Sequence, residues 1–269
     1  MGIGPLMLPW FGALHKEHAL FDNTRIADLG PQGLSRTGGA AAVYKKFPSG
    51  WWARDLYLSL GARDYRAFDL LDERAVKCDF NDPPRGTGDF DVVTNFGTSE
   101  HVFNQAAIMR FMHELLKPGG IALHVVPAAG GRDHGFFNYH PSFFWDLARC
   151  NGYEVLDLRY VPHYALQSHF PNSAIDVDLK RHTDDNKLRT FSREASIKKA
   201  TFRWFATRGA IAMNLRTVLK CIRHPKRRLG PFFDVYRHGD YLHVALRKLV
   251  DQPFVNPIQG MYVANEEEN

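Results

Sequence analysis

"RIADLGPQG", residues 25–33, decides how the rest of the chain is read. Ile26, Ala27 and Leu29 form a short apolar run of the kind a buried strand carries, and Gly30 turns the chain immediately after it. Nucleotide-binding turns of this outline seat a pyrophosphate against backbone N–H groups at a helix start, and they need three glycines to do so. Here Gln32 stands at the second of those positions. Asp28 would also set a negative charge beside the phosphates, which costs free energy in a partly buried site. The turn therefore favours a cationic ligand without phosphate over a dinucleotide.

Working outward, short apolar runs alternate with helical stretches over the first 160 residues. The pattern predicts strands at 25–29, 65–71, 75–80, 91–95, 120–126 and 154–160, and helices at 51–60, 100–116 and 141–150. Gly119-Gly120 after Lys117-Pro118 ends the second of these helices and turns the chain into the next strand. Alternation with nearly all-apolar strands implies an α/β fold, a Rossmann-like, doubly wound and mostly parallel sheet. Ligands of such sheets bind beyond the carboxyl ends of the strands, at the point where strand order reverses.

The rhythm breaks between about 163 and 239. Residues 179–228 carry 15 Lys/Arg against 3 Asp/Glu, a local balance of +12, which leaves −7 elsewhere for the net +5. Arg203, Arg208, Arg216 and Lys220 interrupt the apolar part of this segment. Each would cost about 2.5 to 3.5 kcal/mol at a bilayer centre, so no transmembrane span is expected there. A helical insertion is the expectation, with a homodimer formed through 163–239 as one use and steering of an anionic partner as another. Residues 241–248, "YLHVALRK", read as a final strand. The whole is expected to be one domain over 1–269: a core at about 22–162 plus 240–250, the insertion at about 163–239, and a tail at 251–269. Three widely spaced cysteines, Cys78, Cys150 and Cys221, form no CxxC pair and argue for a reducing, cytoplasmic compartment. The N-terminus lacks the basic and small-residue features of a secretory signal.

Carboxylates recur after successive strands. Asp69 closes "YRAFDL", Asp79 follows in "KCDFND", and Asn95-Phe96 with Glu100-His101 lie in "FDVVTNFGTSEHV". Asp69 suits a bidentate hold on two ribose hydroxyls, and Asp79 suits an adenine amino group with Phe80 over the ring. S-adenosyl-L-methionine supplies the matching cation, nucleoside and absence of phosphate. These motifs, with "LLKPGGIALHVVP", resemble the class I S-adenosylmethionine-dependent methyltransferases from Ile26 to about Tyr160. The resemblance implies a seven-stranded sheet with a reversed last strand, and S-adenosyl-L-homocysteine as product. It implies cofactor contacts from Asp28 and Gly30 at the methionine end, Asp69 at the ribose, and Asp79 with Phe80 at the adenine; Gln32, Leu70, Asn95 and Phe96 are further expected cofactor contacts. The sequence departs from the family at Gln32 and Leu34, where glycine is frequent. It also departs in the 41-position gap from Asp28 to Asp69, filled by the inserted loop 34–50.

Methyl transfer to oxygen or nitrogen calls for alignment and, for some acceptors, a base. His134, then His140, then His101 are the candidate bases, with Tyr139, Asn138 and Glu100 as substrate contacts. Glu100, His101, Asp133, His134 and His140 are of metal-ligand type, but their spacing closes no ligand set, so no metal is expected. The expected partner is a small-molecule acceptor, with anionic character suggested by the basic segment. Nucleic acid is not expected: Thr94-Asn95-Phe96-Gly97 stands where amino-methylating DNA enzymes carry Asn/Asp-Pro-Pro-aromatic. The alternatives are a nucleic-acid methyltransferase and a non-catalytic S-adenosylmethionine-binding module.

Overall fold

The computed structural model describes residues 2–4, 7–34, 52–130, 134–161, 175–176 and 240–260. The basic segment 179–228, the loop 35–51 and the dimer contact expected at 163–239 lie outside these, apart from a two-residue strand. The described elements belong to one unit, Met1–Asp176 with Gly239–Asn269.

Eight strands form one sheet: β1 (Arg25–Leu29), β2 (Asp64–Asp69), β3 (Val76–Lys77), β4 (Phe90–Phe96), β5 (Leu116–Ala129), β6 (Tyr153–Val161), β7 (Ile175–Asp176) and β8 (Asp240–Lys248). Their order is β3-β2-β1-β4-β5-β8-β6-β7. Strands β1 to β5 are parallel, and β8 inserts antiparallel between β5 and β6. The seven-stranded expectation with a reversed last strand is met, and β7 adds a two-residue antiparallel edge. The chain winds outward from β1 to β2 and β3, then crosses back to β4 on the other side. The switch point therefore lies between the carboxyl ends of β1 and β4.

Strand β4 is buried at six of its seven positions, as a central parallel strand covered on both faces must be. The "LKPGG" turn is a bulge: Leu116 pairs with Phe90 and Ile121 with Val92, so the four residues between them stand out of the ladder.

Among the described residues the helices are α1 (Met7–His18), α2 (Ala53–Ser59), α3 (Gln105–Leu115) and α4 (Pro141–Cys150). Helix α1 was not expected, because Pro9 and Gly12 interrupt its pattern. Its Trp10, Phe11 and Leu14 are buried all the same. Phe11 packs on Phe21, Phe96 and Tyr57, with ring centroids 5.9, 5.7 and 6.4 Å away. Burial of this aromatic group outweighs the modest helix preference of the segment.

Two expectations about elements are corrected. The third strand shrinks from 75–80 to Val76–Lys77, because Asp79 accepts the Asn81 N–H at 2.8 Å and starts a turn. The helix expected at 100–116 divides into a short 3-10 turn, Ser99–His101, and α3. Between them Asn104 caps α3, its side chain accepting the Ala107 N–H at 3.2 Å.

Candidate active site

The carboxyl ends of β1, β2 and β4 meet at Gly30. Its N–H donates to Phe68 O at 2.8 Å, tying the turn to the neighbouring strand. Gly30 has φ +84, and a Cβ there would lie 3.1 Å from Thr98 Oγ1, 3.3 Å from Gln32 Nε2 and 3.7 Å from Asp69 Oδ2. Only glycine combines that backbone with that crowding. Thr98 bonds through its hydroxyl to Leu29 O and so binds the loop after β4 to the end of β1. Asp69 Oδ1 accepts the N–H groups of Leu71 and Asp72 at 2.8 and 2.9 Å, which leaves Oδ2 on the Gly30 side. Gln32 is buried, donates to Gly30 O at 3.3 Å, and keeps its Oε1 without a hydrogen-bond partner. Trp52 covers Gly33, and the Arg74 guanidinium lies over the Trp52 ring.

Asp28 lies beneath this turn rather than on its surface. It is fully buried and accepts Thr94 Oγ1 at 2.6 Å and Tyr65 OH at 2.9 Å. The Gln32 backbone also steadies it, yet burial dominates and pushes the carboxyl up to about 7. Its hydrogen bonds set the shape of the turn, and its carboxyl lies just below it.

A second group forms one loop further along. Glu100 is completely buried, and His134, from the loop after β5, places Nε2 3.2 Å from Glu100 Oε1. His101 Nε2 lies 4.0 Å from the same oxygen, and the two imidazoles meet edge to face with centroids 4.7 Å apart. Gly135, at φ +71, lets the loop lie against the turn: a Cβ there would fall 2.8 Å from Glu100 Cγ. The Phe136 N–H donates to Glu100 O at 2.7 Å and fixes the approach. Burial raises the Glu100 pKa, opposed by His134; burial and then His134 lower that of His101.

The remaining sequence candidates lie elsewhere. Asn95 is fully buried, with Nδ2 donating to Ser99 Oγ at 2.8 Å and Oδ1 accepting the Ser99 N–H at 3.0 Å. Phe96 is in the core against α1, and Phe80 packs toward Phe111 at 6.2 Å. Asp79 and Leu70 are exposed beside the cradle. Tyr139 is buried, donating to Gln105 Oε1 at 2.6 Å with Ser99 Oγ at 2.8 Å. His140 stands just before α4 without a side-chain capping bond and, with Asn138, Phe143 and Gln259, lines a cavity of about 370 Å³. Of the three candidate bases, the structure thus joins His134 and His101 around Glu100, while His140 faces the C-terminal segment. Thr98 beside Gly30, Trp52 beside Gly33 and Arg74 over Trp52 were not singled out as cofactor contacts in the sequence. A threonine two residues before Glu100 has no pattern to mark it.

The arrangement fits a phosphate-free nucleoside bearing a cation. Its supports are a glycine whose Cβ position is occupied, a buried unpartnered Gln32 oxygen, an Asp69 oxygen turned inward, and a carboxyl below the turn. Residues 17–180, more than half the chain, match the family described as "Methyltransferase domain". No curated protein matches the chain. Among solved structures, it resembles a Burkholderia thailandensis 1,6-didemethyltoxoflavin-N1-methyltransferase with bound S-adenosylhomocysteine (19% identity, 59% of this chain and 72% of that one, TM-score 0.40). It also resembles an S-adenosylmethionine-dependent methyltransferase from Mesorhizobium loti (13%, 88% and 96%, TM-score 0.43). A third is a Haemonchus contortus phosphoethanolamine N-methyltransferase 2 in complex with S-adenosyl-L-methionine (14%, 89% and 52%, TM-score 0.43). Similarity at this level carries no argument of its own, and the domain match decides: the chain belongs to the methyltransferase-domain family, as an enzyme whose cofactor is S-adenosyl-L-methionine.

Proposed function

We propose that this methyltransferase modifies an oxygen or nitrogen of a small-molecule acceptor held at Glu100, His101 and His134. The cofactor, when bound, supplies a methyl group already activated by the sulfonium. The protein's task is to hold the acceptor atom in line with it. The carrying observation is the continuity of 98–101: Thr98 touches Gly30 and Leu29, while Glu100 and His101, two and three residues on, meet His134. The cradle and the cluster are thus ends of one short segment. In this reading Gly30 and Gln32 meet the methionine end, with the Asp28 carboxyl beneath, and Asp69 Oδ2 takes the ribose hydroxyls. Leu70 and Asp79 border the nucleoside. Cys78 and Cys150 are free, which supports a reducing, cytoplasmic setting.

Calorimetry with S-adenosylmethionine, S-adenosylhomocysteine and NAD tests the cofactor side. Uptake of the first two and not of NAD is expected; the reverse preference would sink the reading. Transfer of a labelled methyl group from the cofactor tests the acceptor side. Label is expected in small molecules, and label found only in nucleic acid would replace the proposed acceptor class.

A further inference from the structure

We propose that Glu100, His101 and His134 form a binding site for one divalent transition-metal ion. Each offers a donor atom, and the three atoms lie within 4.8 Å of one another. Among the described residues this is the one place where three such donors converge.

An ion pair between Glu100 and His134 accounts for their 3.2 Å contact and for little else. It leaves Glu100 Oε2 buried with no hydrogen-bond partner. An unmatched carboxylate oxygen in a fully buried residue is costly, and a cation held by both carboxylate oxygens would remove that cost. It also leaves the second imidazole, His101, edge-on to the first with no role. Two donors held at about 2.0 to 2.2 Å from one metal lie about 3 to 3.5 Å apart in tetrahedral or octahedral geometry. The His134–Glu100 separation already falls in that range, and His101 at 4.0 Å comes within it by a small side-chain rotation. His101 is half-exposed and free to make it.

The enclosure is built rather than accidental. Gly135 permits contact with the Glu100 stem, and the Phe136 N–H holds the loop by the Glu100 carbonyl. Two imidazoles with one carboxylate favour Zn²⁺, Fe²⁺, Co²⁺ or Mn²⁺ over Mg²⁺ and Ca²⁺, which prefer oxygen alone. Three protein ligands leave a position open for water or for an acceptor heteroatom, whose pKa a metal lowers. That use of the open position rests on the proposed function; the binding itself does not.

The test uses the full chain, stripped with a chelator, titrated with Co²⁺ by visible absorption and with Zn²⁺ by calorimetry. One saturable site is expected, with Mg²⁺ failing to compete. His134→Ala and His101→Ala should each weaken Co²⁺ binding by about 10- to 100-fold or more, taking the loss from supporting residues alone as a lower guide. Glu100→Gln keeps the shape, removes the charge, and should weaken binding likewise. His140→Gln, outside the cluster, should not change it. Absence of saturable uptake by the wild type, or Co²⁺ affinity unmoved by His134→Ala, would overturn the proposal. S-adenosylhomocysteine binding, measured on the same samples, reports folding of the variants. Its absence from the wild type would undo the methyltransferase reading while leaving the metal result standing.

Discussion

Asp69 illustrates how one side chain serves two ends. Oδ1 is committed to the N–H groups of Leu71 and Asp72, while Oδ2 faces Gly30. Asp69→Asn can keep the first task with its remaining oxygen and exchange the second acceptor for a donor. It should weaken S-adenosylhomocysteine binding by about 10- to 100-fold in calorimetry, the range for a lost charged hydrogen bond, with the melting temperature little changed. Gly30→Ala meets a positive φ and a 3.1 Å contact together, so it should depress both cofactor affinity and stability, the latter by about 1 kcal/mol or more. Asp28 makes a different prediction, in pH. Its folded pKa of about 7 exceeds the ordinary 3.8, so the folded chain holds this proton where the unfolded chain has lost it. Its contribution to stability is therefore greatest at acid pH, below the unfolded value, and is lost as pH rises through about 7. Asp28→Asn should flatten that decline, by something on the order of 3 kcal/mol between about pH 5 and about pH 8 in denaturant titrations. An unchanged pH slope would show that the burial of Asp28 is not felt.

At the scale of elements, α1 shows burial prevailing over local preference. Pro9 and Gly12 disguise a helix whose Trp10 and Phe11 close one side of the core beside Phe96. Phe11→Ala should lower the unfolding free energy by about 3 to 5 kcal/mol, measured in urea, since its ring packs on four other aromatics. The division of the expected 100–116 helix has a physical reason too. Asn104 offers its side chain as a cap, and its own N–H donates to Asn81 Oδ1 at 3.0 Å, anchoring the start of α3 to the loop after β3. Glu100 and His101 are thereby released from the helix and meet His134 instead.

Across the whole molecule, the C-terminal segment is held to the core by Asn151. Its Oδ1 accepts the Val255 N–H at 2.7 Å and its Nδ2 donates to Val255 O at 2.9 Å. Asn151 is fully buried, so Asn151→Ala should cost about 2 to 3 kcal/mol and make residues 251–260 quicker to proteolyse. The charge distribution makes a prediction about binding. If the +12 balance of 179–228 steers an anionic acceptor, reversing Lys226, Arg227 and Arg228 should raise the acceptor KM, most at low salt. An acceptor KM indifferent to both changes would remove the anionic preference.

Most strand positions, the turn at Gly30 and the "LKPGG" break were legible in the sequence, while the reversal of the last strand came from the family resemblance. The first three depend on side-chain periodicity and turn stereochemistry, which act over a few residues. So did the choice of a phosphate-free cationic ligand, since it needed only the type of residue at each strand end. The direction in which a side chain points was not legible. Asn95 and Phe96 are neighbours on β4, yet one bonds Ser99 and the other packs under α1, because alternate residues of a strand face opposite sides. Nor did spacing reveal that Glu100, His101 and His134 meet. Only the alignment of β4 with β5, and the loop held by Gly135 and Phe136, closes a gap of more than thirty positions, since long-range packing decides which distant polar groups share a buried space.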